Sequence, residues 1–307
     1  MCRKLSNRKD ELEFIRNTTS LQHMSTSNSL LINPFSPKHT FEEKLFFWLR
    51  FGVLGCFVGH GFWGVVTKKG WLPFFKVFFI NESMAYSFMP LIGAMDMLIG
   101  IIVFIYPNRG LLLWAAFWTV FTAMLRPSAS MGMSEFFERA GNFGVPILFF
   151  LLYGFPAVGA QWFSRLKPLT SVSFQQAYTI EWVSRLSLFS LLAGHGGLAV
   201  FMNHPILIKN MTGIGLPMTG TNLQIFGVVE IVLGFLVLLK PRIPGLLIVI
   251  CLYKLGFELL FPIVGTGKDI FETIERMGDY VLPLILFEYY RSKYYSKARH
   301  QTVVSKT

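Results

Sequence analysis

At 307 residues the chain is long enough for about two domains on the usual scale of roughly 150 residues each. Hydrophobic residues make up 53% and charged residues 15%, with 16% aromatic, a mean hydropathy of +0.51 and a net charge of +11. These values exclude a water-soluble enzyme and a largely disordered chain, and three isolated cysteines (Cys2, Cys56, Cys251) exclude a disulfide scaffold, a four-cysteine zinc site and CxxC redox chemistry.

Residues 1–42 read as a polar, basic tail carrying Arg3, Lys4, Arg8 and Lys9, with no apolar run of signal-peptide type. Eight apolar segments follow, at 45–66, 84–106, 110–125, about 134–155, 182–202, 223–239, 245–261 and about 270–290. Each is near the roughly 17–25 residues that cross about 30 Å of hydrocarbon. A second basic tail, 293–307, ends the chain. An even number of crossings puts both termini on one side. With the tails inside, nineteen Lys and Arg fall near the inner face and eight near the outer, while Lys254 lies within a span. The positive-inside rule then places both termini in the cytoplasm, at the plasma (inner) membrane if the source is bacterial. The expected partner of the positive charge is anionic membrane lipid; no nucleic acid is expected.

The segments repeat. Arg50 precedes His60-Gly61 by the same ten residues that separate Arg185 from His195-Gly196. Asp96, Gly100 and Pro107 recur at the same spacing as Glu230, Gly234 and Pro241. Glu138-Arg139-Ala140-Gly141-Asn142-Phe143 and Pro146 recur as Glu275-Arg276-Met277-Gly278-Asp279-Tyr280 and Pro283. Three registers in the same order define two units, 43–156 and 182–292, joined by a linker at 157–181 that holds Lys167-Pro168 and a Ser/Thr/Gln run. Four crossings per unit preserve orientation, so the units are expected to be related by an axis along the membrane normal. The expected fold is all-α: a polytopic membrane protein of eight transmembrane helices in two parallel-repeat four-helix bundles.

Those motifs resemble the DoxX family, four-helix membrane proteins that include the small subunit of thiosulfate:quinone oxidoreductase. The resemblance is carried by the Arg-to-Gly-His-Gly first helix, the acidic residue before a Gly in the second, and the Glu-Arg-x-Gly-[Asn/Asp]-[Phe/Tyr] start of the fourth. It covers roughly 43–155 and 182–292, and it implies a tandem duplication of a unit that family members usually carry once. It also implies a redox function linked to quinone.

Helical rise locates the polar groups in depth. His195, Glu230, Lys254 and Asp279 each lie about 15–18 Å above the inner face, one on each helix of the second unit. Glu258, Glu275 and Arg276 stand a turn further out. The first unit holds His60, Asp96 and Asn142 at this level, with Glu138 and Arg139 a turn above. Its third helix has Thr119 and Ala123 where the second unit has Lys254 and Glu258, so the second unit is expected to be the richer site. An ionisable group inside a membrane costs at least about 2.5–3.5 kcal/mol. Such a cluster therefore nominates His195, Glu230, Lys254, Glu258 and Asp279 as catalytic groups and Glu275 and Arg276 as substrate-binding groups. His60, Asp96, Glu138, Arg139 and Asn142 form a secondary site.

Two cations against four carboxylates leave the second unit with excess negative charge, which asks for bound protons. That chemistry suits a quinone-linked oxidoreductase subunit, with His195 and Lys254 or Arg276 on the headgroup oxygens and Glu230, Glu258 or Asp279 carrying protons. It suits a proton-coupled transporter or channel equally, and a non-catalytic assembly or stress factor is a third reading. No nicotinamide or flavin fingerprint is present, so electrons would come from a donor subunit or a small external reductant. A quinone is the expected ligand and no covalently bound cofactor is expected. Haem or metal is the poorer reading, because His60 and His195 face each other only across the repeat axis and neither has a second ligand one turn away. Elsewhere Arg50 and Arg185 are expected to snorkel to headgroups. Tyr289, Tyr290, Tyr294 and Tyr295 are expected to form an interfacial belt, and Cys56 and Cys251 to fill apolar space.

Overall fold

The computed structural model describes residues 30–216, 220–239, 242 and 244–296; the outer parts of both basic tails lie outside the described residues. It is 78% helix, with no strand among the described residues. In chain order the helices are α1 (Phe41–Val65), α2 (Leu72–Lys76), α3 (Glu82–Ile105), α4 (Arg109–Ser128), α5 (Met133–Glu138) and α6 (Ala140–Tyr153). Then come α7 (Phe174–Val200), α8 (Pro205–Gly213), α9 (Thr221–Leu239), α10 (Pro244–Glu258), α11 (Leu260–Val264), α12 (Ile270–Glu275) and α13 (Met277–Arg291).

Among the described residues six stretches are long and apolar enough to cross a membrane: α1, α3, α4, α7, α9, and α10 with α11 as Pro244–Val264. The other two expected segments are broken helices. α5 gives way to α6 at Arg139 (φ −84°, ψ 8°) and α12 to α13 at Arg276 (φ −87°, ψ 25°). Each break is a single tightened turn, in which Asn142 N donates to Arg139 O and Asp279 N to Arg276 O, both at 2.9 Å. The Glu-Arg pair at each break therefore sits where two helix axes part.

Two helix starts follow from capping. Thr40 and Glu43 form a reciprocal capping box before α1, and Ser173 and Gln176 form one before α7. The second box starts α7 at Phe174, so the end of the expected 157–181 linker is helix.

α1 runs along α3, and α7 along α9. The broken helices lean on the opposite half: α12 and α13 on α1, α5 and α6 on α7. They cross where α6 meets α13. A Cβ on Gly278 would lie 2.0 Å from Gly141 O, and one on Gly141 would lie 1.9 Å from Asp279 Oδ1, so the crossing admits only hydrogen. The largest apolar core accordingly draws on both halves, from Leu45, Val53 and Phe149 to Leu188, Ile250 and Val281.

Two expectations about the end of the bundle that carries the tails are corrected. Arg50 and Arg185 do not reach headgroups; both are buried. Arg50 donates to Phe104 O (2.9 Å) at the end of α3, and Arg185 to Val237 O (3.0 Å) and Leu238 O at the end of α9. Terminal helix carbonyls lack partners and carry partial negative charge, so a guanidinium is held there more strongly than at an aqueous surface. The four tyrosines are buried as well, because the end of α13 packs on the start of α1. Phe41 lies 6.3 Å from Tyr289 and 6.0 Å from Tyr294, ring to ring.

Candidate functional site

The same device occurs in each half. Beside each histidine a glycine lets two helices touch: a Cβ on Gly61 would lie 2.6 Å from Gly93 O, and one on Gly196 would lie 2.4 Å from Gly227 O. One turn beyond the second glycine stands the carboxylate. His60 Nδ1 therefore lies 2.7 Å from Asp96 Oδ2, and His195 Nδ1 lies 2.7 Å from both oxygens of Glu230.

The surroundings differ. In the second half Tyr253 donates to Glu230 Oε1 at 2.5 Å, the Phe257 ring stands edge-on 4.7 Å from His195, and His195 is only 3% exposed. In the first half the position before Thr119 is Trp118, which makes no such bond. His60 is 22% exposed and stacks on Trp71 at 4.5 Å. A cavity of about 280 Å³ opens there, walled by aromatic side chains that include Phe57, Phe74, Phe88 and Phe121. Small side chains at Thr119 and Ala123 leave the room that Lys254 and Glu258 fill in the other half. Four polar atoms of cavity-lining residues find neither a hydrogen-bond partner nor an ion pair among the described residues: Asp96 Oδ1, Trp118 Nε1, Arg126 Nε and Asn142 Oδ1. Stranding such an atom in an apolar surround costs about 1–3 kcal/mol.

Next to the cavity lies a buried ionic network. Lys254 holds Glu258 (2.9 Å) and Asp279 (3.6 Å). Arg276 holds Glu258 (3.1 Å), Glu272 (2.9 Å) and, from the first half, Glu138 (3.2 Å). Arg139 holds Glu138 (3.0 Å) and, from the second half, Glu275 (2.8 Å), while Lys68 pairs with Glu272. Four cations thus meet five carboxylates. Removing one member of such a set leaves its partner buried and uncompensated. Beyond the network a second, polar cavity of about 240 Å³ is bordered by His195, His204, Glu135, Glu272 and Arg276. It shares Trp71, Phe74, Arg126, Arg139 and Glu275 with the aromatic cavity.

The expected second-unit cluster is therefore divided. His195 and Glu230 form one group with Tyr253; Lys254, Glu258 and Asp279 form another with Arg276. The stack is not confined to one four-helix unit, since Glu275 pairs with Arg139 and Glu138 with Arg276. The Gly141–Gly278 crossing brings each broken helix against the other half and exchanges their ion pairs. Lys254 and Asp279 border neither cavity, and the aromatic cavity lies in the half expected to be poorer. The secondary residues His60, Asp96, Arg139 and Asn142 border it. Several partners were not singled out from the sequence: Trp71, Trp118, Tyr253, Glu272 and the Arg126–Glu135–His204 group (3.2 and 3.0 Å). Glu272 had a signal, one helical turn before Arg276; the indoles had none. No family model, curated protein or solved structure matches the chain. Its class rests on the helices themselves, which are those of an integral membrane protein by length and composition.

Proposed function

We propose that this chain is an eight-crossing membrane protein of two parallel repeats, DoxX-like, with both termini cytoplasmic. It serves as the quinone-handling subunit of an oxidoreductase, and the ring binds in the first-half cavity. The single observation that carries this reading is that cavity: an aromatic chamber of about 280 Å³ lined also by a His–carboxylate pair and by the polar residues Trp118, Arg126 and Asn142. A quinone ring presents acceptor oxygens for Trp118 Nε1 and Arg126 Nε, and its quinol presents hydroxyls for Asp96 Oδ1 and Asn142 Oδ1. Reduction takes up two electrons and two protons. His60 and Asp96 hold protons beside the ring, and Glu275, which borders both cavities, connects them to the polar side. The electrons come from a donor subunit or a small external reductant. The repeat reading is supported by the paired breaks, the paired glycine contacts and the exchange of packing partners between halves.

Calorimetric titration of purified protein with a short-chain benzoquinone tests the site. Saturable binding, lost when Ala123→Trp fills the cavity in a protein that still elutes as folded, is the expected result. No saturable binding to the wild-type protein would overturn it. The polar cavity adjoining the network favours a second reading, a proton-coupled transporter. Substrate-driven proton flux in liposomes without any quinone binding would select it.

A further inference from the structure

The aromatic cavity has a side wall whose residues are exposed on the surface of the helices. α3 and α4 are consecutive, yet they diverge and touch only sparsely along their lengths, whereas α1 and α3 stay in contact throughout. Residues on this side border the cavity and are also exposed: Leu91 of α3 is 68% and Phe88 39% exposed, and Phe78, in the turn between α2 and α3, is 48% exposed. Phe121 of α4 lies 6.2 Å, ring to ring, from Phe78 where the chain approaches α3. Leu91 is nine residues along α3, roughly 14 Å from its Glu82 end, and Phe121 is seven residues, roughly 10 Å, from the Ser128 end of α4. The gap thus lies at hydrocarbon depth, and its rim is apolar. In the second half the matching pair, α9 and α10, touches even less, and what sets it apart is the Tyr253–Glu230 hydrogen bond that bridges it.

Volume decides what passes through. Pockets that enclose a whole drug-sized ligand run from roughly 300 to 1,000 Å³. At about 280 Å³ the cavity takes a ring and its substituents but not a long hydrocarbon chain as well. The polar residues Asp96, Trp118, Arg126 and Asn142 in the lining suit a polar ring, while the rim at Phe78, Phe88, Leu91 and Phe121 suits an apolar group lying across it.

We propose that the gap between α3 and α4 is a lateral portal, through which a chain-bearing quinone enters from the membrane, seats its ring beside His60 and leaves its hydrocarbon chain in lipid past Leu91. This rests on the quinone reading above and adds the ligand's chain and its route. His60, Trp118 and Arg126 then select the ring, and Leu91 and Phe121 select the chain.

The test compares two quinones with the same ring, one with methyl substituents only and one with an alkyl chain of about ten carbons, in wild-type protein and in Leu91→Trp. Both are titrated in the same nanodiscs. The expected result is a loss of about tenfold or more in affinity for the chain-bearing quinone in L91W, with the methyl quinone changed less than about twofold. Equal effects on both quinones, or none on either, would refute the portal and leave the ring site standing. Binding of neither quinone to wild-type protein would refute the ring site itself. Should L91W fail to fold, a quinone carrying a photoreactive group at its chain end decides the matter on wild-type protein. Labelling of 88–91 or 121 supports the portal. Labelling of 131–135 or 204–207, at the polar cavity, overturns it.

Discussion

The two halves place a histidine against a carboxylate with the same geometry and then treat the space beside it in opposite ways. In the second half Tyr253 ties down Glu230, Phe257 covers His195, and Lys254 and Glu258 fill the interior. In the first half Trp118, Thr119 and Ala123 occupy the corresponding stretch, and a cavity remains. The half with more ionisable groups thus has no aromatic chamber at its histidine, and His195 borders the polar cavity instead. Charges in the second half consume each other's hydrogen-bonding capacity and fill its interior, and space remains where Thr119 and Ala123 carry no such groups.

Substitutions can break or sharpen that contrast. The largest effect is expected from Lys254→Met, which leaves Glu258 and Asp279 buried without their shared cation. A loss of about 3–5 kcal/mol is expected, read as a fall in thermal midpoint in detergent and in folded yield. Tyr253→Phe removes one bond to a carboxylate and should cost about 1.5–3 kcal/mol by the same assay. It should also raise solvent access to His195, seen as faster modification by diethyl pyrocarbonate. Gly61→Ala forces a methyl group toward Gly93 O and should cost about 1–3 kcal/mol; if Gly61 tolerates alanine without loss, the close crossing is wrong. Trp118→Phe is the smallest. Its indole N–H has no partner to lose, so thermal stability should stay within about 0.5 kcal/mol, while short-chain benzoquinone binding weakens measurably by calorimetry. A large stability loss in W118F with no change in binding would invert the contrast between the halves.

The sequence made the register of the polar residues legible, because charges in apolar segments are few and their spacings recur. His60 with Asp96 and His195 with Glu230 could be placed at one depth by counting residues. Depth is not azimuth, however. A rise of 1.5 Å per residue says how high Glu275 stands but not that it turns toward Arg139. The breaks at Arg139 and Arg276 were hidden for a similar reason: each is one tightened turn inside a segment whose hydropathy is that of an unbroken span. Arg50 and Arg185 were ambiguous in kind, since a basic residue near a helix end reads alike whether it reaches water or caps a neighbour's carbonyls. The cavity was the least legible feature, being set by what Thr119 and Ala123 lack.

The exchange of ion pairs at the Gly141–Gly278 crossing has a consequence in time. Arg139 waits for a partner 136 positions later in the chain, and Glu138 waits for Arg276, 138 positions on. At about 5–20 residues per second the ribosome needs on the order of 10 s to make that stretch. Throughout that interval the newly made first half has only Glu138 and Arg139 to neutralise each other, with no Gly278 against Gly141 to seat them. Until the second half is made, Glu138 and Arg139 lack the partners that Arg276 and Glu275 supply, and expression of residues 1–156 alone should yield a protein that membrane quality control removes.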